Sequence, residues 1–362
     1  MVCTGLGNVK RGFEMYIGSL ARKLTGVYSF TSALEVWCGG AFSSQGVNTR
    51  KIFNMRRDGR LAKWLSLDTK AFLWEQRTFF LGMVPSILRN RTAVYYLGEY
   101  QLYCYLYKLR QFFGLRYSLV LYTGGQAIPG LFDPTLDYIH HVTDVYLKEC
   151  AHLSKKRQTI LPHFIEEDFV YDDIIQQTIR QMAGGKKIVL SVGLLDKTIK
   201  RMDLLLEALA PLSKDVFPVL LGQVSSDTAE LRQIMEDRFG ENGYVIHTVL
   251  HTELGNWYFA ADLFVLCSPK ESFGLAALEA LYHGLPVICD DFAEARFVLG
   301  THGNFIAMEN VTVLTEAIRD QLLKTINDKT DRKSFVASRY TWTALQDEYL
   351  AMFRQATNLL CL

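Results

Sequence analysis

One unit recurs through the second half of the chain: a short apolar run rich in β-branched residues, then a loop, then a segment with helical periodicity. Residues 187–193 (KIVLSVG) are the first such run, and the helical segment 202–212 follows it. The later runs are 216–222, 244–249, 263–267 and 286–289, and the later helical segments are 228–239, 253–260, 274–283 and one after residue 289. Strands and helices that alternate in this way require a parallel sheet covered on both faces. The pattern therefore predicts a doubly wound α/β domain with right-handed crossovers.

The first half shows the same order less clearly. Helical segments are predicted at 13–24, 61–80 and 100–113, and strands at 34–38, 93–97 and 118–123, with room for only a short first strand before residue 9. The pattern breaks at 161–185, which we interpret as an inter-domain linker, and a last amphipathic segment covers 342–356. Because 362 residues exceed what one core usually supports, we predict two domains, 1–163 and 164–340.

Charge is distributed unevenly between the two halves. Residues 1–160 carry 21 Lys and Arg against 10 Asp and Glu, and the remainder carries 18 against 28, although the net charge is only +1. A basic N-terminal lobe would attract anionic lipid surfaces or phosphorylated acceptors. The alternative is a charge match between the domains, or simply solvated faces.

Cysteine usage and hydropathy limit the class of protein that the chain can belong to. The seven cysteines are scattered without a C-x-x-C spacing, so neither a disulfide framework nor a zinc site is expected. No apolar stretch is long enough for a spanning helix, and residues 1–26 lack the order of a signal peptide. We expect a soluble cytoplasmic protein.

Two further features have weak functional interpretations. Gly5 and Gly7 form a glycine-rich loop, but no acidic residue ends a clear second strand, so a dinucleotide site is disfavoured. His140 and His141 fall on a stretch that we interpret as helical, where they are expected to be surface or packed histidines rather than metal ligands.

The segment 269–288 (PKESFGLAALEALYHGLPVI) carries the strongest chemical signal. Glu271 and Glu279 lie eight positions apart in it. If a helix begins at residues 273–274, the N–H groups of residues 273–275 form an anion site for a diphosphate, with the carboxylates up to about 12 Å apart along the axis. That span suits a nucleotide sugar, which has hydroxyls at both ends. The alternative is that this segment serves only for packing. We accept it for the leucines at 275, 278 and 281, which would form a core stripe, but not for the two glutamates.

This segment resembles the E-x7-E signature of family 4 glycosyltransferases, which are retaining enzymes of GT-B fold. Other segments resemble further parts of the family pattern: 260–269 (AADLFVLCSP), 191–203 (SVGLLDKTIKRMD), 161–169 (LPHFIEEDF), 11–24 (RGFEMYIGSLARKL) and 340–354 (YTWTALQDEYLAMFR). The resemblance implies two Rossmann-like domains whose parallel sheets face each other across a cleft. The N-terminal domain would bind the acceptor and the C-terminal domain the donor, with a last helix at about 341–358 packing back on the N-terminal domain.

The resemblance also implies roles for individual residues of the donor site. Glu279 would bind the donor ribose, Glu271 would contact the donor sugar, and Lys200 would balance the charge of the diphosphate leaving group, which makes Glu271 and Lys200 the catalytic candidates. Gly12 would let its loop approach the β-phosphate closely. The remaining donor-binding candidates are Arg201, Ser272, Phe273, Gly274 and Leu275, with backbone amides supplied by Phe273–Leu275.

Two positions depart from the family pattern. Leu194 stands where the family usually has an arginine that binds phosphate; Lys197 or Arg201 would substitute for it, or turnover would be lower. Thr123 stands where many relatives have a histidine in the N-terminal domain, so Thr123 and Gly124 are the acceptor-side candidates.

The sequence as a whole predicts a retaining hexosyltransferase that moves a sugar from a UDP- or GDP-sugar to a glycan or lipid-linked saccharide, as in polysaccharide biosynthesis. No cofactor, essential metal or nucleic-acid partner is expected, and the enzyme would be cytoplasmic or peripheral at the inner face of the membrane. The first alternative is a catalytically weak nucleotide-sugar-binding homologue that acts as a partner or regulator. The second is a GT-B epimerase or phosphorylase.

Overall fold

The computed structural model describes residues 1–8, 12–27, 34–57, 59, 70–89, 94–124, 133, 135–150, 157–324 and 328–358. The chain divides into two compact units. The N-terminal unit comprises residues 1–163 together with 346–362, and the C-terminal unit comprises residues 164–345. Each unit has its own parallel sheet, so two separate α/β units are formed.

The N-terminal unit contains a seven-stranded sheet in the order β3-β2-β1-β4-β5-β6-β7, and every pairing in it is parallel. Its order reverses between β1 and β4, the switch point at which parallel α/β sheets usually bind ligands. The strands are β1 (Val2–Cys3), β2 (Glu35–Cys38), β3 (Asn48–Lys51), β4 (Val94–Leu97), β5 (Ser118–Tyr122), β6 (Tyr138–His141) and β7 (Gln158–Ile160). The helices are α1 (Gly12–Thr25), α2 (Ala71–Arg89) and α3 (Tyr100–Phe113).

Most predicted elements of this unit are present. The predicted helix at 61–80 is found in part as α2, and its residues 61–69 lie outside the described part of the chain. The helical interpretation of His140 and His141 was wrong, because both belong to β6. All four residues of this strand are buried, so it lacks the alternation that identifies a strand in sequence. Of the two placements expected for these histidines, at the surface or packed, the structure shows the packed one.

A buried chain of hydrogen bonds joins the end of the polypeptide to the N-terminal sheet. The last helix of the chain runs over Trp342–Asn358, and the hydroxyl of its Tyr349 lies 3.0 Å from that of Tyr16. The Tyr96 hydroxyl donates to Nδ1 of His140 at 2.8 Å, and Nε2 of His140 donates to the Leu161 carbonyl at 2.7 Å. Burial lowers the pKa of His140 to about 3, so the ring is neutral at physiological pH.

The C-terminal unit contains a six-stranded, wholly parallel sheet in the order β10-β9-β8-β11-β12-β13. Its switch point lies between β8 and β11. The strands are β8 (Lys187–Val192), β9 (Val216–Leu221), β10 (Val245–His247), β11 (Leu263–Leu266), β12 (Val287–Asp290) and β13 (Gly303–Ile306). The helices of this unit are α4 (Asp173–Met182), α5 (Met202–Leu209), α6 (Thr228–Phe239), α7 (Leu254–Ala260), α8 (Leu275–Tyr282), α9 (Ala293–Leu299), α10 (Val311–Leu323) and α11 (Lys329–Arg339). The helix Trp342–Asn358, most of which belongs to the N-terminal unit, is α12.

Part of the segment 161–185, which was interpreted as the inter-domain linker, forms α4, and this helix packs in the C-terminal unit. The backbone N–H of Asp172 and the side-chain amide of Gln176 both donate to Oδ1 of Asn256, at 2.8 and 3.2 Å. Asp172 also caps α4, with its carboxylate accepting from the N–H of Ile174 at 2.8 Å. These contacts fix α4 against α7.

Candidate active site

Two loops approach each other at the switch point of the C-terminal sheet. The loop after β8 carries Lys200, and the loop after β11 carries Glu271. The Lys200 ammonium contacts Oε1 of Glu271, and the two side chains retain 20% and 15% of their exposure. The structure thus brings the two predicted catalytic residues into one ion pair that solvent and a ligand can still reach.

Asp196 organises the loop that carries Lys200. Its carboxylate accepts hydrogen bonds from the N–H of Lys200 at 2.7 Å, the N–H of Ile199 at 2.9 Å and the hydroxyl of Thr198 at 3.0 Å. The residue is only 4% exposed. Sequence reasoning missed this role, although an Asp followed by a Thr two positions later is a typical signal of a side-chain-stabilised turn.

Gly193, directly after β8, allows the Lys200 side chain to cross the strand end. A Cβ built at Gly193 would lie 3.0 Å from Cε and 3.1 Å from Cδ of Lys200, closer than ordinary van der Waals contact. A side chain at Gly193 would therefore force the Lys200 side chain, which pairs with Glu271, to shift by a few tenths of an ångström.

Among the described residues, Arg201 is the one non-glycine residue with a left-handed backbone, at φ 50°. It precedes α5, and glycine is the residue that takes this conformation without cost. Its guanidinium lies 3.2 Å from the Asp203 carboxylate. Lys197 contacts Glu230 instead. Neither residue that was expected to replace the arginine missing at Leu194 is paired with Glu271.

The helix of the E-x7-E segment begins one residue later than the spacing suggested. Gly274, at φ 77°, is the N-cap, and α8 starts at Leu275. The Gly274 carbonyl accepts from the N–H of Ala277 at 3.0 Å, which leaves the amides of Leu275 and Ala276 in the first turn without intrahelical acceptors. The Phe273 ring is buried and packs 6.0 Å from the Tyr340 ring. The amides available to an anion therefore include Ala276.

Glu279 lies within α8 and is held from two sides. Its Oε2 accepts from the Tyr258 hydroxyl and its Oε1 from Nε2 of His251, both at 2.9 Å, and its side chain is 8% exposed. An ionised carboxylate has about four lone-pair positions, so two are left for donors from a ligand. This arrangement suits a pair of neighbouring hydroxyls.

His251 is a residue that sequence reasoning missed. It lies 28 positions before Glu279, in a turn with no motif, and nothing in the sequence points to it. Burial lowers the pKa of His251, but the hydrogen bond to Glu279 and the charges of Glu279, Asp168 and Glu166 outweigh burial, and the net shift of this pKa is upward. The imidazole is therefore more readily protonated than that of a free histidine, and it donates to the Glu279 carboxylate.

The segment that enters the C-terminal unit packs against this histidine. The Phe169 ring lies 5.3 Å from the His251 ring and 4.8 Å from that of His283. The N–H of Val170 donates to the Thr252 carbonyl at 2.7 Å, which anchors the segment on the same turn. Residues 169–170 thus help to hold His251 in place.

The switch point of the N-terminal sheet contains a second buried carboxylate. Glu99 follows β4, and its Oε1 accepts from the N–H and the hydroxyl of Thr4, at 3.0 and 2.8 Å. Burial raises the pKa of Glu99 to about 7, although the two hydrogen bonds from Thr4 oppose the shift. Nothing in the sequence points to Glu99, because a lone acid after an apolar run carries no motif.

The acceptor-side candidates and Gly12 also belong to the N-terminal unit. Thr123 is 5% exposed, and its N–H donates to the His140 carbonyl at 3.1 Å. Gly124 is left-handed at φ 64°. Gly12 is the first residue of α1, and a Cβ there would meet no atom of the described residues within 4 Å.

Comparison with known proteins shows which proteins the chain resembles. Residues 186–324 match the sequence model of the family described as Glycosyl transferases group 1. The mannosylfructose-phosphate synthase of Agrobacterium fabrum is 27% identical over 241 residues, which cover 60% of this chain and 51% of that protein. The D-inositol 3-phosphate glycosyltransferase of Xylanimonas cellulosilytica is 30% identical over 170 residues, 44% of this chain and 40% of that protein. The chain thus spans about half or less of the length of these curated relatives.

Solved structures resemble almost the whole chain. Sucrose-phosphate synthase from Thermosynechococcus elongatus superposes with a TM-score of 0.77 at 17% identity, covering 98% of this chain and 97% of that one. Anabaena HepE in complex with UDP and glucose gives a TM-score of 0.74 at 15% identity, covering 98% of both chains. The fold is GT-B, as the sequence predicted. Residues 186–324, with the paired loops and α8, are similar to the group 1 glycosyltransferases, and the resemblance found in the sequence is confirmed at that level.

Proposed function

We propose that the protein is a retaining glycosyltransferase of the family 4 type, which moves a sugar from a UDP- or GDP-sugar to a glycan or lipid-linked saccharide. The observation that carries this proposal is the Lys200 and Glu271 pair at the switch point, followed by a helix that presents Glu279. Such a site offers a cation and backbone amides for a diphosphate, with a carboxylate on either side for hydroxyls. The UDP bound in structures of Anabaena HepE supports a uridine nucleotide as one candidate.

In this proposal Glu279 binds the ribose hydroxyls through the two lone-pair positions that Tyr258 and His251 leave open. Lys200 and the first-turn amides of α8 stabilise the diphosphate as it leaves. Glu271 accepts hydrogen bonds from the donor sugar. The other donor-binding residues remain those proposed from the sequence: Gly12, Arg201, Ser272, Phe273, Gly274 and Leu275.

The N-terminal unit would supply the acceptor site, with Thr123 and Gly124 as candidates. No bound cofactor or metal is part of the proposed chemistry, and no group of three or more His, Cys, Asp or Glu among the described residues is arranged to hold a metal ion. The basic N-terminal lobe would bring the enzyme to a membrane surface, where a lipid-linked acceptor is found.

A nucleotide-release assay tests the proposal. The full chain is incubated with each UDP- and GDP-sugar, with and without a lipid extract as acceptor source, and the anomeric configuration of the product is read by NMR. Release of one nucleotide, with a product of unchanged configuration, supports retaining transfer. Inverted configuration, or turnover that yields an epimerised donor without free nucleotide, contradicts it.

One observation favours a second candidate, a nucleotide-sugar-binding homologue of low activity. Leu194 replaces the usual phosphate-binding arginine, and the two nearby cations are engaged elsewhere, Lys197 by Glu230 and Arg201 by Asp203. Such a protein would bind a donor with saturation and release no nucleotide. Leu194→Arg distinguishes the two candidates, because it should raise turnover in an enzyme that lacks one cation and should leave a pure binding protein inactive.

A further inference from the structure

The helix α4 of the C-terminal unit exposes a row of apolar side chains. Ile174 is 76% exposed, Ile175 42% and Met182 47%. At about 100° per residue, these three positions and Thr178 fall on one side of the helix. No helix of the described residues, α4 included, is long and apolar enough to cross a membrane. Contiguous apolar patches of this kind mark surfaces that another molecule covers.

The exposed row borders a groove of about 500 Å³ along the outermost strand of the C-terminal sheet. One wall is α4, which contributes Met182, and Trp257 of α7 lines the same groove. Val245 and His247 of β10 face the groove, because Ile246 between them belongs to the core on the other side of the sheet. The row and the groove therefore form one continuous surface.

The outer edge of β10 disfavours the addition of a further strand. The Gly222 N–H donates to the His247 carbonyl at 3.0 Å, so the Ile246 carbonyl points away from β9, toward the edge of the sheet. That carbonyl accepts from the Arg232 guanidinium at 3.2 Å. A strand that paired with β10 would have to displace this hydrogen bond. The surface therefore suits a helix better than a strand.

The charges of α4 indicate which helix fits. Asp173 lies in its first turn and Arg180 in its last, and both are exposed. Arg180 also pairs with Asp262 of its own chain and keeps 45% of its side-chain exposure. A second α4 in antiparallel orientation would place each acidic start beside a basic end and would oppose the two helix dipoles favourably. The same helix thus carries both an apolar ridge and a groove wall, which is the self-complementarity that a two-fold interface requires.

We propose that the exposed row of α4 and the groove beside β10 form a two-fold interface between two copies of this chain. The α4 of each copy lies antiparallel in the groove of the other. Burial of the apolar row supplies the driving force, and the facing Asp173 and Arg180 side chains set the direction of the helices. This interface belongs to the C-terminal unit alone and does not depend on the proposed function.

Sedimentation velocity of the full chain over a range of concentrations tests the interface. We expect the wild type to reach twice the 41.3 kDa mass of one chain at high concentration. Ile174→Glu should weaken dimerisation by about tenfold or more, because the new carboxylate would lose its water in an apolar contact. An acidic residue suits the first turn of a helix, so α4 itself should persist in this variant. Leu323→Glu, at a position 73% exposed on α10 of the same unit, is the matched control and should dimerise like the wild type.

Cysteine cross-linking tests the antiparallel arrangement. Thr178 lies midway along α4, so a two-fold axis would bring its two copies together, whereas the exposed Gln177 points away from the apolar row. With glutathione disulfide as the oxidant, Thr178→Cys should form a covalent dimer far more efficiently than Gln177→Cys or the wild type.

Three results would each overturn the proposal. The first is a wild type that stays monomeric, which would leave the groove to a partner of another kind. The second is a dimer that Ile174→Glu leaves intact, and the third is equal cross-linking of Thr178→Cys and Gln177→Cys.

Discussion

The ammonium of Lys200 and the carboxylate of Glu271, 71 positions apart in the chain, form an ion pair at the switch point of the C-terminal sheet. A diphosphate needs a cation at this place, so a bound donor would take over Lys200 from Glu271. The released carboxylate would then accept hydroxyls of the donor sugar. Under the proposed function, the pair therefore holds both side chains in position until the donor arrives.

Lys200→Ala should lower kcat by about a hundredfold, because the leaving diphosphate loses its charged partner. Lys197 offers a matched control on the same loop, since its ammonium contacts Glu230. We expect Lys197→Ala to keep kcat within a small factor of the wild type. Equal losses of kcat in the two variants would show that Lys200 has no special role in departure of the nucleotide.

Gly193→Ala should displace Lys200 and lower kcat by at least tenfold, since small misplacements of catalytic groups have effects of that order or larger. The reason is the 3.0 Å approach of Lys200 Cε to the position of the new Cβ. Gly26→Ala is the control, because a Cβ there would lie 3.4 Å from the nearest atom, an ordinary contact. Steady-state kinetics and thermal unfolding of both variants check the prediction. It fails if Gly193→Ala turns over like the wild type.

His251→Ala should raise KM for the donor roughly five- to tenfold and change kcat less, as expected when a hydrogen bond of ~1–1.5 kcal/mol that positions Glu279 is lost. His251→Gln, which can still donate to Glu279, should restore part of the donor affinity. A purely structural role predicts instead that both variants lose kcat and thermal stability in parallel.

The pH dependence of stability provides an independent readout of His251. The pKa of His251 is raised in the folded protein above its ordinary value of 6.5. The stability that His251 contributes is therefore fully present below pH 6.5 and is lost as the pH rises through the raised pKa. Chemical denaturation of wild type and His251→Gln across this range should show their difference in free energy of unfolding shrinking with pH. A difference that grows with pH contradicts the assignment.

The buried His140 predicts the opposite dependence in the N-terminal unit. Burial lowers its pKa to about 3 from 6.5, and burial does the same for His163, so the unfolded chain binds more protons between these values. The stability that the neutral His140 contributes is therefore fully present above pH 6.5 and declines as the pH falls toward 3. His140→Gln should reduce this acid slope by up to about 1.4 kcal/mol per pH unit, measured by urea unfolding. An unchanged slope would mean that His140 is protonated in the folded state.

The sequence predicts the C-terminal unit well because strong local patterns coincide there. The strand at 187–193 and the helices at 228–239 and 274–283 are found within one or two residues of their predicted bounds. Alternating apolar runs and helical periods leave a parallel sheet as the solution that buries both kinds of element. The alternation predicts a doubly wound sheet, and the resemblance of the E-x7-E segment to family 4 glycosyltransferases implies the GT-B fold.

Other elements lack such local signals. β13 (Gly303–Ile306) is half-buried, and α11 is largely polar, so neither shows a clear period, and both were missed. The start of α8 was misplaced by one residue because the left-handed Gly274 belongs to the cap and not to the helix. The support of Glu279 by His251 depends on packing between distant segments, which one sequence does not reveal.

The most direct test of the account is donor binding measured by calorimetry with UDP- and GDP-sugars, on the wild type and on Glu279→Ala. Circular dichroism of Glu279→Ala controls for folding, since the carboxylate is 8% exposed and bonded to Tyr258 and His251. We predict that one donor class binds the wild type and that a folded Glu279→Ala loses at least tenfold in affinity, as expected for a charged hydrogen-bonding group. A wild type that binds no nucleotide sugar, or a variant with undiminished affinity, would contradict the placement of the donor site at Glu271 and Glu279.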